Sequence, residues 1–237
     1  MTPTVVLVHG AFAESASWNG VAERLTGHGL PVATVANPLR GLPGDAAYLR
    51  DVVAGLGTPV VLAGHAYGGM VVTEAAGRLS TVAALVYVSA FAPENGESAL
   101  ELTAKFPGSA LGAALTSYPL SAGGAEHVIR PDAFRSGFAH DVAAARAGLM
   151  AATQRPVTHA ALTTGLTAAT AAWRSTPSWF VFGDADRAVP PAVHRFMAER
   201  AGAKGMREVE DASHFIAVSR PDEVTGTILD AVSQVRP

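Results

Sequence analysis

Cysteine is absent from the chain, so disulfides, thiolate metal sites and cysteine nucleophiles are excluded together. Charge is scarce as well. Charged residues make up 16% of the sequence, with Lys+Arg at 17, Asp+Glu at 20 and a formal net charge of -3. No basic excess exists to hold a phosphate backbone, and nucleic acid is not an expected partner. No window offers the roughly 18 uninterrupted apolar residues that cross a bilayer, because the Ala-rich tracts are broken by Gly, Thr and Arg. The stretch Met1 to Gly10 has no basic n-region and no long apolar run, so a secretory signal is not expected and a cytoplasmic protein without membrane contact is.

What remains is apolar. Hydrophobic residues reach 49% of the 237 positions, enough buried surface to offset chain entropy, which excludes intrinsic disorder. Short β-branched runs bounded by turn residues occur at Thr4 to His9, Val32 to Ala36, Val60 to Gly64, Val82 to Ser89, Ser178 to Gly183 and Met206 to Glu210. Runs such as Val5-Val6-Leu7-Val8 are apolar throughout, which suits strands covered on both faces and predicts a mainly parallel, doubly wound α/β sheet. Helices are expected between them at Trp18 to Leu25, Asp45 to Leu56, Gly69 to Leu79, Pro191 to Ala201 and Pro221 to Val235. Between Ser89 and Ser178 no strand is expected. That interval reads as Gly-punctuated helices, including Asp141 to Thr153 and His159 to Trp173. The organisation predicted is a core of residues 1–92 and 158–237 with a helical cap, residues 93–157, inserted after the fourth strand.

The hexapeptide Gly64-His65-Ala66-Tyr67-Gly68-Gly69 ends one expected strand and opens the next helix. A nucleophile elbow has this context, because a residue perched on a sharp strand-to-helix turn needs small neighbours on either side. Position 66 nevertheless holds alanine, whose methyl group can neither attack a carbonyl nor donate a proton. A glycine-rich turn without catalytic meaning is the alternative that this segment alone leaves open. The dinucleotide reading is set aside, since G-x-G-x-x-G is missing.

Other segments favour the elbow. His9-Gly10-Ala11-Phe12 ends the first strand, which a doubly wound sheet places near the strand that carries Ala66. Backbone N–H groups of Ala11 or Phe12 and of Tyr67 would then form an oxyanion hole. Asp186 follows the strand ending at Gly183, and His214 follows the strand ending at Glu210. The order of nucleophile position, acid and histidine is that of α/β-hydrolases, with Asp186 holding His214 and His214 taking the nucleophile's proton. Asp184 competes for the acid's role, but the later position reaches further into the crevice. His9 reads as a packed strand-end ring, and His65 as a packing residue. His28, His127, His140, His159 and His194 show no spacing with carboxylates that would suggest a metal, so neither a metal nor a cofactor is expected. The aromatic and Met side chains of the cap divide between cap core and pocket lining. Phe12, Phe106, Tyr118, Phe138 and Met150 are the expected substrate-binding set.

Together, Val5 to Ala11, Gly64 to Met70, the Gly183 to Pro190 loop and Ser213-His214 resemble the α/β-hydrolase superfamily, specifically its small esterases similar to plant methylesterases and hydroxynitrile lyases. In that family the elbow normally reads Gly-His-Ser-x-Gly-Gly, so the resemblance implies a serine where this chain has Ala66. Hydroxynitrile lyases of the group usually carry Thr after the first-strand His and Lys beside the catalytic His. Gly10 and Phe215 stand there instead, which favours an ester hydrolase. The expected function is therefore hydrolysis of a small, largely uncharged ester or lactone through an acyl-enzyme, in a chain inactivated by an engineered serine-to-alanine change. A natural pseudoenzyme that binds a small molecule is one rival; a lyase or cofactor-free oxygenase using His214 as base is another.

Overall fold

A computed structural model describes residues 2–235 of the chain. Strands β1 (Thr4–Val8), β2 (Val32–Val35), β3 (Val60–His65) and β4 (Val82–Val88) alternate with helices α1 (Asn19–Gly27), α2 (Leu42–Leu56) and α3 (Tyr67–Ala76). The chain then leaves the sheet through α4 (Ala99–Ala104), α5 (Leu111–Ala114), β5 (Leu115–Pro119), β6 (Ala125–Ile129), α6 (Pro131–Phe138), α7 (Ala144–Thr153), β7 (Val157–Thr158) and α8 (His159–Thr163). It returns as β8 (Ser178–Gly183), α9 (Pro191–Arg200), β9 (Gly205–Val209), α10 (Ile216–Ser219) and α11 (Pro221–Val235).

The main sheet has the order β2-β1-β3-β4-β8-β9, and every neighbouring pair is parallel. Alternate side chains explain why both faces must be covered. Val5 and Leu7, Val61 and Ala63, and Val86 and Val88 pack with Trp18, Val21, Ile216 and Ile228 on one side. Val6 and Val8, Val60 and Leu62, and Leu85 and Tyr87 pack with Leu49, Met70 and Met197 on the other. This is the doubly wound α/β arrangement that the apolar runs imply. From β1 the chain winds outward to β2, then crosses back to β3 on the opposite side of β1. The strand order reverses at the β1/β3 boundary, and a crevice opens there at the carboxyl ends.

The stretch between β4 and β8 corrects the expectation of helices alone. β5, β6 and β7 form a three-stranded antiparallel sheet, with Leu115 opposite Ile129 and His127 opposite Val157. The helix expected from His159 to Trp173 ends at Thr163, because tertiary bonds capture the backbone beyond it. Glu74 on α3 accepts from the N–H of Thr167 at 2.8 Å and from its hydroxyl at 2.6 Å. The helix expected from Asp141 starts instead at Ala144, since the Asp141 carboxylate accepts from the N–H and hydroxyl of Ser213. No helix among the described residues is long and apolar enough to cross a membrane.

Candidate active site

Ala66 sits between β3 and α3 with φ +48° and ψ -119°, a conformation that costs of order 1–3 kcal/mol for a residue other than glycine. The surroundings enforce it. A Cβ on Gly68 would lie 2.4 Å from the carbonyl oxygen of Val8, and a Cβ on Gly10 would lie 2.6 Å from the Cβ of Ala66. Only glycine at both positions lets α3 run this close to the end of β1. The carbonyl of Ala66 is fixed as well, accepting from the N–H groups of Gly69 at 3.0 Å and Phe91 at 3.2 Å.

Beside this turn, Nδ1–H of His214 donates to Oδ2 of Asp186 at 2.8 Å. The other oxygen of Asp186 accepts from the N–H groups of Ala188 at 2.8 Å and Val189 at 3.0 Å. Burial alone would push the Asp186 carboxyl up, but His214, His194 and their hydrogen bonds outweigh it and hold the group well below the usual carboxylate range. Asp184 is exposed and takes no part in these bonds. Nε2 of His214 has no partner among the described residues, and the ring borders a cavity of about 30 Å³ together with Ala11, Phe12, Ala66 and Tyr67. The N–H groups of Ala11, Phe12 and Tyr67 donate to no acceptor among the described residues. Phe91, Leu111, Phe138, Leu162 and Val189 complete an apolar wall. Thr103, also in the lining, donates its hydroxyl to the carbonyl of Ala99 at 2.8 Å.

The sequence profile of the alpha/beta hydrolase family matches residues 5–227. The chain belongs to that family. The Carbendazim hydrolyzing esterase of Nocardioides sp. (strain SG-4G) is 35% identical to this chain over 113 residues, 42% of this chain and 47% of that protein. The chain thus aligns with about half the length of that curated relative. Among solved structures, a methylesterase from Arabidopsis superposes with a TM-score of 0.82 at 17% identity, covering 98% of this chain and 99% of that one. A variant of tomato methylketone synthase I complexed with beta-ketoheptanoate gives 0.81 at 18% identity, with 100% and 99% covered. At such identities the likeness is one of fold.

The structure divides the expected pocket residues. Phe12 and Phe138 border the cavity beside His214. Phe106 does not; it packs on Phe196 with ring centroids 6.0 Å apart and lines a separate groove with Leu111 and Leu115. Tyr118 lies on exposed β5 and donates to Glu126. Met150 borders a second cavity, shared with Phe12 and Phe215. Neither reaches the site: Phe106, in the stretch between α4 and α5, is held against Phe196 of α9, and Tyr118 lies on the exposed β5–β6 hairpin.

Three contributors escape the sequence reading. Nε2–H of His194 donates to the same Asp186 oxygen at 3.2 Å, so that carboxylate collects four donors. Its position on α9, eight residues after Asp186 and across a proline-led helix start, gives no sequence signal. Asp45 accepts from the Tyr67 hydroxyl at 2.9 Å and from the N–H of Arg40 at 3.0 Å, which pins Tyr67. His65 donates through Nε2 to the carbonyl of His214 at 3.1 Å. Burial, with His214 adding to it, drives the His65 pKa down to about 3, so the ring is neutral. Among the described residues no three His, Cys, Asp or Glu side chains converge to hold a metal ion.

Proposed function

We propose that this site is built to bind a small, largely uncharged ester or lactone and to attack its carbonyl carbon, and that Ala66 leaves the chain able to bind without forming an acyl-enzyme. The observation that carries the reading is the His214–Asp186 pair, held beside the Ala66 methyl with Nε2 free toward the pocket. With serine at position 66, His214 would take the hydroxyl proton as Oγ attacks, and the oxyanion would accept from the N–H groups of Phe12 or Ala11 and of Tyr67. Collapse of the intermediate expels the alcohol, which takes the proton from His214; water then repeats the steps to free the acid. Residues 93–157 act as the cap, closing the pocket with Leu100, Leu111 and Phe138. The apolar wall selects against charge, since an unpaired ion pays a heavy desolvation penalty there. Loss of one oxygen from an active parent accounts for Ala66 with the rest of the machinery standing.

The test is Ala66→Ser, assayed on short activated esters. Hydrolysis well above the unmodified chain, removed again by adding His214→Ala, supports the reading. A rate equal to the unmodified chain's overturns it.

A second reading has its own observation: the base and the oxyanion donors are in place where no nucleophile is. That set suits a β-keto acid, and a protein sharing this fold is described with beta-ketoheptanoate bound. Loss of carbon dioxide leaves an enolate, whose oxygen would accept from Phe12 and Tyr67 while protonated His214 delivers a proton to carbon. Ketone release by the unmodified chain above the spontaneous rate, lost in His214→Ala, would decide for this reaction.

A further inference from the structure

The cavity beside His214 holds about 30 Å³, room for about two waters, and an ester needs more. A second cavity of about 120 Å³ adjoins it. The larger chamber lies between the β1–α1 loop and one face of α7, where Arg146, Leu149, Met150 and Thr153 recur at the i, i+3, i+4, i+7 spacing of a single helix face. Phe215, the neighbour of His214, also lines it, as do the charged Glu14 and Arg146.

Phe12 is a wall of both cavities. Its backbone sits at φ +59°, a left-handed conformation that is a real outlier for a bulky residue. The same twist leaves its N–H free beside Ala66 while its ring, 6% exposed, occupies the boundary between the two spaces. One residue thus supplies an oxyanion donor from its backbone and a partition from its side chain.

We infer that the second chamber is a binding site for the longer apolar arm of the substrate, reached past Phe12, and that the substrate class is an ester with an extended alkyl or aryl arm. Phe12, Leu149, Met150 and Phe215 in its lining match such an arm, beside the polar Ser17, Asn19, Thr153 and Gln154. The inference rests on the ester reading for the word ester, but the chamber itself can be tested apart from any hydrolysis.

Two measurements separate them. In the Ala66→Ser form, 4-nitrophenyl octanoate and 4-nitrophenyl acetate are compared. Met150→Trp, which fills the chamber, should lower kcat/KM for the octanoate at least tenfold more than for the acetate. Phe12→Gly, which suits the positive φ, should shift the ratio toward the octanoate. In the unmodified chain, calorimetry with 2-nonanone, which cannot be hydrolysed, should show binding weakened at least tenfold by Met150→Trp. Thr153→Trp enters the same chamber from the next turn and should repeat the result if Met150→Trp fails to fold. Equal losses for both esters, or 2-nonanone binding indifferent to both tryptophans, would overturn the inference. Failure of Ala66→Ser on either ester overturns the ester reading instead, and the ketone then decides the chamber.

Discussion

Around the sheet, the chain is held by backbone approaches too close for any side chain, as where Gly68 crosses Val8. The segment between β4 and β8 shares that packing where Phe134, Phe138 and Trp173 enter the core and where Gly165 meets the backbone of Gly96, and it adds a set of polar ties. Arg200 on α9 grips Glu97 through two 2.8 Å bonds and also donates to the carbonyl of Ala92. Glu74 collects Thr167 and Ala168, Asp141 joins Ser213 to Arg220, and Arg174 meets Glu94. Close packing tolerates almost no change of shape, whereas a half-exposed pair such as Arg174 with Glu94 can be exchanged at small cost. The difference assigns tasks: close-packed positions carry atoms that must stay fixed, and the exposed ties of the inserted segment are free to vary. Substitutions at the first should act in all-or-none fashion and those at the second by degrees.

The largest effect expected is on the carboxylate buried by the sheet. In the Ala66→Ser form, Asp186→Asn should lower turnover by about 10⁴, the size of the loss recorded for the equivalent change in a serine protease. Asp184→Asn, on the exposed side of the same loop, should change it by less than about twofold; steady-state kinetics of the two variants would break the comparison if the order were reversed. Next comes shape. Gly68→Ala should cost about 3 kcal/mol or more, because the contact it makes is with the rigid backbone of β1. Gly112→Ala in α5 meets nothing within 4 Å and should stabilise by up to about 1 kcal/mol. Urea unfolding midpoints of the pair measure the contrast directly.

Acid comes third. Burial lowers the pKa of His65 to about 3 and that of His9 to about 4. Below pH 6.5 the unfolded chain binds protons that these folded rings refuse, so stability falls as pH drops through that window. Asp186 acts later: its folded pKa lies below the unfolded value, so its contribution is whole above the ordinary carboxylate range and is lost only in stronger acid. The thermal midpoint should therefore decline from pH 7 to pH 5, and less steeply in His65→Gln; equal slopes would show that the ring is not held neutral. The smallest effect belongs to the inserted segment. Glu94→Gln should cost under about 1 kcal/mol and less still in high salt.

The same contrast explains what could be read from residues alone. β1, β3, β4 and β8 announce themselves because both their faces are buried, leaving apolar runs that no loop would carry; their ends fall within a residue or so of expectation. The turn at Ala66 was legible from its two flanking glycines, and the pairing of Asp186 with His214 from chain order. β5 gave no such sign. Four of its five residues are exposed, so it is held by ladder bonds to β6, without the alternation that marks a half-buried strand. His194 was hidden for a related reason: its contact with Asp186 is made by the docking of α9 against β8, where it also stacks on Phe182 at 4.8 Å. Periodicity along one chain cannot report a meeting set by two elements.

The 2.6 Å that separates a would-be Cβ on Gly10 from the Cβ of Ala66 bears on the chain with serine restored. Any side chain at position 10 would take the space beside that Cβ and the carbonyl of His65, so the missing Cβ of Gly10 leaves room there for a serine hydroxyl. Space for a nucleophile at this turn is thus supplied by a residue that has no side chain at all.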